Sequence, residues 1–398
     1  MKALVFFLLF LPVCASAQTV ITGKVINTAD NKPVSYASVF LSNTVVGTRS
    51  NDDGSFTLQN VKRGQYDLVV SFIGFETHHQ TVTISNASIA VGDITITPKV
   101  NELKEVHIGA PDPNRARWLE MFKHDFIGTS VNAQQCKITN PDVIDIAFDK
   151  QTAMLTASTD DFLIIENKAL GYKVHYQVSK FVRDNNRHFL YYEGSVLFEN
   201  MDGSPSEQRR WAKNRLNVYL GSDMHFLRSI FDNQLEQEGF KVLKLIRKTN
   251  TVRPPEELIR TKLRMFGLGI ADNPKLKDSV DYWSGKAQLP RVIEYLVTTP
   301  LNTNDFVEHT DVKDMLALSY TDYLYVMYTK KHTKLGDVHV YHPTDMPDYA
   351  TTVVALNQKY AVFDRNGIFI NPSSTTYEGA WGQNAVAELL PVDYMPVP

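Results

Sequence analysis

The sequence predicts a mainly β protein with some α: an N-terminal β-sandwich, then a larger antiparallel β-rich domain with a helical insertion. Short alternating apolar segments recur between residues 20 and 97 at a spacing of roughly 8–12 residues, with Gly, Pro and Asn between them. Longer alternating segments, typical of an antiparallel sheet with one covered face, begin at residue 143. A stretch of helical period interrupts them at about 204–239.

The chain begins with a segment typical of export. An apolar run covers residues 3–13, and the small residues at 15–17 form a cleavage site. We therefore predict a signal peptide at 1–17 and a location in the periplasm or at the outer-membrane or cell surface. The alternative is a lipoprotein signal ending at Cys14, although Val13 stands where a small residue is expected. No later apolar run is long enough to predict a transmembrane helix.

Composition narrows the function classes. The 398 residues are 43% hydrophobic and 21% charged, with a net charge of −3, which is an ordinary globular mixture. Without a concentrated basic run, nucleic acid is not an expected partner. Of the two cysteines, Cys136 alone would remain after cleavage, so no internal disulfide is predicted. Cys136 is either a reactive thiol or a half-buried small hydrophobe, and the lack of a surrounding motif favours the second interpretation.

The predicted front domain covers residues 18–98. Its segments alternate or carry β-branched and aromatic residues, and turn residues separate them, so we expect an antiparallel sandwich. Within it, Gly74 suggests a bulge or a close backbone approach. The predicted strands lie at 20–26, 36–42, 54–61, 65–75, 78–84 and 93–97.

The loop "NDDGSFTL" at 51–58 allows two interpretations. Asp52 and Asp53 carry oxygens of the kind that bind a hard cation. A calcium loop of EF-hand type needs a closing Glu, whereas the segment 52–63 ends in Lys-Arg. Asp side chains also cap their own backbone in tight turns, and Gly54 accepts a positive φ. The pattern therefore favours a structural turn.

The front segment resembles the carboxypeptidase-regulatory-like domain, a transthyretin-like or immunoglobulin-like β-sandwich appended to D-type metallocarboxypeptidases. Similar domains stand at the N-terminus of many exported proteins of Bacteroidota-type bacteria, including TonB-dependent transporters. The resemblance covers about a fifth of the chain and implies an accessory sandwich that is not itself catalytic. The residues that carry it are Gly23, Pro33, Val34, Gly47, Thr48, Asp53–Phe56, Gly64 and Ser71–Phe75.

Residues 99–130 are predicted to form a linker strand and a helix. The strand, "NELKEVHI" at 101–108, resembles one that follows this domain in transporters. Asp112 is a suitable N-cap, Pro113 suits the first helical position, and Gly128 can end the helix. An aromatic stripe along this helix could dock a partner, but packing against a neighbouring domain is the favoured interpretation. The stripe consists of Trp118, Phe122 and Phe126.

Residues 131–398 are predicted to form one β-rich domain. They resemble the C-terminal part of Bacteroidota-type proteins that share the front domain, through "LIIENKALGYKVHYQVSKF", "GSDMHFLRSIFDNQLEQEGF" and "LLPVDY", a resemblance that implies no particular reaction. The helical section opens with a capping box at Ser204–Glu207. The predicted strands lie at 143–150, 151–158, 161–167, 172–182, 187–200, 291–299 and 315–331, with a hairpin at 360–371.

Two groups of side chains in this domain each have a functional and a structural interpretation. Four basic residues on the first helix of the helical section could hold an acidic partner or lipid headgroups, although a solvated face is favoured. Three tyrosines of the strand at 315–331 could stack on sugar rings, although a packed sheet is favoured. The basic residues are Arg209, Arg210, Lys213 and Arg215, and the tyrosines are Tyr323, Tyr325 and Tyr328.

Local catalytic motifs are missing from the sequence. None of the eleven histidines has Glu three residues later, so the ligand pair of a zinc carboxypeptidase is absent. Nucleophile-elbow and phosphate-loop motifs are also absent. We therefore predict no catalytic residue, no cofactor-binding residue, no metal ligand and no cofactor. Acid pairs such as Asp160 and Asp161 leave sugar hydrolysis open, because glycosidase carboxylates are distant in sequence.

These observations favour an exported, non-catalytic binding, assembly or scaffold protein of the bacterial cell envelope. Its expected partner is an envelope protein or a glycan. The first alternative is a secreted hydrolase of peptide or glycan with the front sandwich as accessory domain. The second is an auxiliary of a TonB-dependent transporter.

Overall fold

The computed structural model describes residues 19–85, 87–99, 112–187, 189–269, 273–333 and 340–396. Within these ranges the chain forms two compact units. Unit 1 consists of two chain segments, one that ends at Asn217 and one that begins at Ala385. Unit 2 is the segment between them, Val218–Asn384. The predicted signal peptide at 1–17 and the predicted strand at 101–108 lie outside the described residues. The domain boundaries given above stay predictions.

The front of unit 1 is built from two small sheets. Their strands are β1 (Ile21–Asn27), β2 (Ser38–Leu41), β3 (Gly47–Arg49), β4 (Ser55–Leu58), β5 (Gly64–Ser71), β6 (His78–Ile84) and β7 (Ile89–Ile96). One sheet has the order β4-β1-β7 and the other β3-β2-β5-β6. The sequence predicted a fully antiparallel sandwich. This prediction is wrong for one pair of strands, because β7 runs parallel to β1. The five strands between them supply the long connection that a parallel pair requires.

The loop at 51–58 is a structural turn. Asp53 Oδ1 accepts hydrogen bonds from the backbone N–H of Ser55 at 3.0 Å and from its hydroxyl at 2.6 Å. Gly54 has a φ of 78°, and an added Cβ would lie 2.6 Å from the carbonyl oxygen of Val25. Both its conformation and its surroundings therefore require glycine. The predicted strand at 65–75 is shorter than expected, because β5 ends at Ser71.

The rest of unit 1 is a six-stranded antiparallel sheet with two helices. The elements are α1 (Arg115–Ile127), β8 (Cys136–Ile138), β9 (Ile144–Asp149), β10 (Met154–Thr159), β11 (Leu163–Asn167), β12 (Tyr172–Asp184), β13 (Phe189–Asn200) and α2 (Pro205–Tyr219). The sheet order is β8-β11-β12-β10-β9, and β13 also pairs with β12. The long β12 thus organises the sheet, because it pairs with β11, β10 and β13.

Helix α1 buries its aromatic stripe on this sheet. Phe126 packs edge-to-face on Tyr176 with ring centroids 4.9 Å apart, and Trp118 stacks on Phe148 at 4.3 Å. The predicted start of the helix is wrong by two residues, because the N-cap is Asn114 rather than Asp112. The carboxylate of Asp112 accepts hydrogen bonds from the Asn114 N–H and the Trp118 indole instead. It therefore organises the turn that precedes the helix.

Unit 2 contains a five-stranded sheet, a three-stranded sheet and three helices. The elements are α3 (Asp223–Phe231), β14 (Phe240–Thr249), α4 (Glu256–Gly269), α5 (Lys277–Gln288), β15 (Val292–Val297), β16 (Val307–His309), β17 (Met315–Leu318), β18 (Tyr323–His332), β19 (Tyr349–Leu356), β20 (Ala361–Asp364) and β21 (Thr375–Gly379). The sheet orders are β15-β14-β18-β19-β21 and β16-β17-β20. The mainly β fold class predicted from the sequence is confirmed.

The five-stranded sheet of unit 2 is covered on both faces. Tyr328 belongs to a core cluster with Phe226, whereas Tyr325 packs in a second cluster with Leu243. Both tyrosines are buried, so neither offers an exposed ring for a sugar. The single strand predicted at 315–331 is in fact two strands in different sheets, because the backbone turns at Asp322, whose φ is 67°.

The helices differ in part from the prediction. The capping box of α2 is present, since Glu207 Oε2 accepts the Ser204 N–H at 2.9 Å. Helices α2 and α3 lie within the predicted helical section at about 204–239, but α4 and α5 were not predicted. No helix in the described ranges combines the length and apolar character that crossing a membrane requires.

Candidate functional site

A cavity of about 520 Å³ lies within unit 1. Its volume is within the range of about 300–1,000 Å³ that is typical of small-molecule pockets. Helix α2, the strands β12 and β13, the loop after β2 and the C-terminal segment 385–396 supply its walls. The lining residues are Val45, Tyr172, Asn200, Ala212, Lys213, Arg215, Leu216, Pro391, Asp393, Tyr394 and Met395.

Trp211 fixes helix α2 beside the sheet. Its indole N–H donates to the carbonyl oxygen of Lys168 at 2.8 Å. Its ring lies against Gly171, where an added Cβ would come within 2.2 Å of a ring carbon and where φ is 71°. Only glycine allows this approach. Arg215 follows Trp211 by one helical turn and is thereby held beside Tyr172.

The C-terminal segment closes the cavity from the side of the front sheets. The backbone N–H of Val392 donates to the carbonyl oxygen of Asn43 at 2.7 Å. Asp393 accepts from the Val45 N–H through its carboxylate at 3.3 Å, and from Lys62 Nζ through its carbonyl oxygen at 2.8 Å. The loop after β2 and the C-terminal segment thus form one wall together.

Arg215 is the central polar group of the cavity. Its guanidinium lies 4.7 Å from the centroid of the Tyr172 ring, and Nη1 donates to the Tyr172 hydroxyl at 3.2 Å. Its Nε is buried and has no hydrogen-bond partner among the described residues. A buried donor without an acceptor costs about 1–3 kcal/mol. Arg215 also lines the cavity, although Nε itself has almost no accessible surface, so an acceptor oxygen of a ligand would reach it only after a shift of the side chain.

The other titratable groups suit binding better than chemistry. Burial raises the pKa of Tyr172, although Arg215 opposes this effect, so the phenol stays protonated at neutral pH. Asp393 is the one carboxylate among the lining residues, whereas glycosidases use two. Lys213 and Arg215 give the cavity two positive charges against one negative. The arrangement can therefore hold an anionic group against a partly apolar wall.

The four basic residues singled out from the sequence have different positions. Lys213 and Arg215 line the cavity. Arg209 and Arg210 are exposed on α2 and are not among the lining residues. The sequence analysis did not find Tyr172 and Asp393 as site residues, since each is distant in sequence from α2. Both lie in segments that carry the C-terminal resemblance, but that resemblance implies no particular reaction.

His225, in unit 2, is a second group that resembles a catalytic centre. Its Nδ1 accepts the backbone N–H of Gly221 at 3.1 Å, so Nε2 carries the proton and donates to Glu238 at 3.1 Å. The residue is 3% exposed, and burial lowers its pKa although Glu238 acts in the opposite direction. Both ring nitrogens of the imidazole thus have hydrogen-bond partners within unit 2.

Cys136 is half-buried in unit 1. Its thiol donates to the carbonyl oxygen of Asn132 at 3.4 Å. Burial, together with the nearby carboxylate of Glu388, raises the pKa of Cys136 to about 12. Because the thiolate is the reactive form, this shift disfavours reaction of the thiol at neutral pH. The interpretation of Cys136 as a small hydrophobe is therefore the better one.

No three His, Cys, Asp or Glu side chains in the described ranges lie close enough together to hold a metal ion. The predictions of no catalytic residue, no metal ligand and no cofactor stay predictions.

Solved structures similar to this chain resemble it only distantly. The chain is 14% identical to a cohesin–X-dockerin complex from Acetivibrio cellulolyticus, with a TM-score of 0.19, over 20% of this chain and 58% of that one. It is 17% identical to the major pilin subunit of Bacillus cereus, with a TM-score of 0.18, over 20% and 30%. It thus spans less than two thirds of either chain.

A DUF3823 family protein from Bacteroides ovatus is 12% identical, with a TM-score of 0.15, over 47% of this chain and 82% of that one. At these TM-scores the likenesses carry no argument about function. A comparison with curated protein sequences gives no match. Residues 21–108 match the family model of the CarboxypepD_reg-like domain, which confirms the carboxypeptidase-regulatory-like domain predicted for the front of the chain.

Proposed function

We propose that this chain is an exported, non-catalytic binding protein of the bacterial cell envelope. Its ligand site is the cavity of unit 1, and the ligand carries a carboxylate or phosphate group next to an apolar part. The single observation that carries the proposal is the buried Nε of Arg215, which has no acceptor among the described residues and belongs to a side chain that lines open volume.

The rest of the cavity supports the same ligand class. A guanidinium forms paired hydrogen bonds with carboxylates and phosphates, and such bonds are about twice as strong as neutral ones. Val45, Leu216, Pro391 and Met395 line the cavity with apolar atoms. Tyr172 accepts one N–H of Nη1, which leaves further N–H groups of the guanidinium, the Nε–H among them, for a ligand.

Two features of the chain support the envelope location. The segment at 3–17 has the apolar run and small-residue site of a signal peptide. The CarboxypepD_reg-like domain at 21–108 resembles sandwiches found in exported proteins. Fractionation of cells that express the full chain would test this part, and recovery of the protein in the cytoplasm alone would contradict it.

Calorimetric titration of the purified protein tests the ligand class. The probes are N-acetyl-L-leucine, its neutral amide N-acetyl-L-leucinamide, and glycerol 3-phosphate. We expect N-acetyl-L-leucine to bind more tightly than the amide, because only the acid gives Arg215 a charged acceptor. Glycerol 3-phosphate separates phosphate recognition from carboxylate recognition.

Matched variants locate the binding. Arg215→Met should weaken binding of the anionic probe at least about tenfold, the effect of losing a charged hydrogen bond. Lys123→Met, which removes an exposed cation from α1, should leave it unchanged. Equal affinity for acid and amide, or no effect of Arg215→Met, would contradict the proposal. Cleavage products after incubation with peptides or glycans would favour the hydrolase alternative instead.

A further inference from the structure

Helix α4 in unit 2 exposes apolar side chains that a surface helix normally buries. Leu258 is 41% exposed, Met265 50% and Leu268 74%. Ile259 is the one buried residue described for this helix. Large exposed apolar sets on a soluble surface commonly mark a place of interaction.

The exposed residues form one stripe. Leu258 and Met265 are seven positions apart and Leu268 follows after three more, spacings that place side chains on the same face of a helix. Lys262 lies within one turn of both Leu258 and Met265, and Arg264 lies one turn before Leu268. We call this set, Leu258, Lys262, Arg264, Met265 and Leu268, the α4 stripe. Cations thus flank its apolar centre.

The charge around the α4 stripe is positive. The connection between β14 and β15, residues 250–291, has eight Lys or Arg and five Asp or Glu, a net charge of +3, whereas the whole chain has −3. Glu256, in the first turn of α4, forms salt bridges with Arg253 and Arg291. Its Oε2 lies 2.7 Å from Nη2 of Arg253 and 3.0 Å from Nη2 of Arg291. After Arg260 the helix has no acidic residue.

Helix α5 has a related combination of side chains. Tyr282 is 58% exposed, and the ammonium of Lys286 lies 5.6 Å from its ring centroid. An exposed tyrosine with a neighbouring lysine is suited to a boundary between water and an apolar phase, where the ring is amphipathic and the cation stays hydrated.

We propose that the α4 stripe docks on an anionic lipid surface. Leu258, Met265 and Leu268 would enter the boundary between headgroups and acyl chains, as the apolar face of an interfacial helix does. Lys262 and Arg264 would extend their apolar stems along it and place their charges at lipid phosphates. The positive charge around the stripe selects an anionic surface rather than a neutral one.

Vesicle sedimentation tests this inference. The purified protein is mixed with phosphatidylcholine vesicles that contain or lack phosphatidylglycerol. We expect binding to the anionic vesicles that weakens as salt is added, and much weaker binding to the neutral ones. Replacing Lys262 or Arg264 by Gln should reduce binding to anionic vesicles about fivefold for each cation.

The double variant Met265→Glu and Leu268→Glu should lose vesicle binding. Leu190→Glu, at an exposed leucine of β13, should keep it. Thermal unfolding should show that the double variant and Leu190→Glu are both folded, because the side chains of Met265, Leu268 and Leu190 are exposed. Equal binding to both vesicle types, or full binding by the double variant, would overturn the inference. Absence of vesicle binding together with self-association through α4, seen as a change in mass, would also overturn it and assign the stripe to a second copy.

Discussion

Arg215 in unit 1 and His225 in unit 2 both contact a tyrosine and a hydrogen-bonding partner, yet they differ in one respect. Both ring nitrogens of His225 have partners, and aromatic rings enclose it, with centroids at 4.9 Å for Phe240 and 5.6 Å for Tyr328. Arg215 keeps a buried Nε without a partner among the described residues and lines a cavity. The first arrangement is complete within the fold, whereas the second has an open donor, which in the proposed function a ligand satisfies.

The two clusters differ in whether the fold itself supplies every hydrogen-bond partner. A buried polar group with all its hydrogen bonds made contributes stability, because removing one partner leaves the other unsatisfied. A buried donor left open beside a cavity costs free energy until something binds. Substitution at His225 should therefore affect stability, and substitution at Arg215 should affect binding.

The largest expected effect is on the stability of unit 2. His225→Ala leaves the Gly221 N–H and the Glu238 carboxylate without their partner and opens a hole among aromatic rings. We expect the free energy of unfolding to fall by about 2–4 kcal/mol. His124→Ala, at an exposed histidine of α1, should change it by less than about 0.5 kcal/mol. Urea titration measures the free energy of unfolding of both variants. Equal stability of the two would contradict the structural role assigned to His225.

A smaller effect is expected for Arg215→Met on the stability of unit 1. The variant loses one hydrogen bond and one cation–π contact with Tyr172 but also removes the unsatisfied Nε–H. We expect a change within about 1 kcal/mol, in contrast to the large loss of binding. A decrease as large as that of His225→Ala would show that Arg215 is primarily structural.

The smallest effect is a pH dependence. Burial lowers the pKa of His225 in the folded protein, with Glu238 opposing and Lys330 assisting, so the unfolded chain takes up a proton at higher pH than the folded one. Stability from this group is complete above the unfolded pKa of about 6.5 and is lost as pH falls below it. Urea midpoints between about pH 8 and 5 should show this decrease, and His225→Gln should lack that part of it. An unchanged pH profile in the variant would contradict the assignment.

The cavity could not be predicted from the sequence. Its walls come from Val45, Tyr172, the stretch 212–216 and the C-terminal segment, which are up to about 350 residues apart in sequence. The sequence analysis singled out Lys213 and Arg215 as basic helix residues. No feature of the neighbouring sequence distinguished them from Arg209 and Arg210. In the fold, Trp211 packs against Gly171, and of the four cations Arg215 alone is half-buried.

Helices α1 and α4 also show that sequence does not reveal whether an apolar stripe is buried. Both carry an apolar stripe, and the sequence predicted the stripe of α1 because Trp118, Phe122 and Phe126 are large and regularly spaced. Helix α4 has Pro255 before Glu256 and Glu257, a recognisable helix start, but its glycines at 267 and 269 weaken the pattern. Whether a stripe is covered depends on tertiary packing, so the exposure of α4 emerged only from the structure.

The most direct measurement is the NMR signal of the Arg215 Nε–H, assigned by its loss in Arg215→Met. On titration with N-acetyl-L-leucine this resonance should shift as the carboxylate takes up the open donor, and the neutral amide should leave it nearly unchanged. A resonance that stays fixed at saturation, or that responds equally to acid and amide, would contradict an anion-binding cavity.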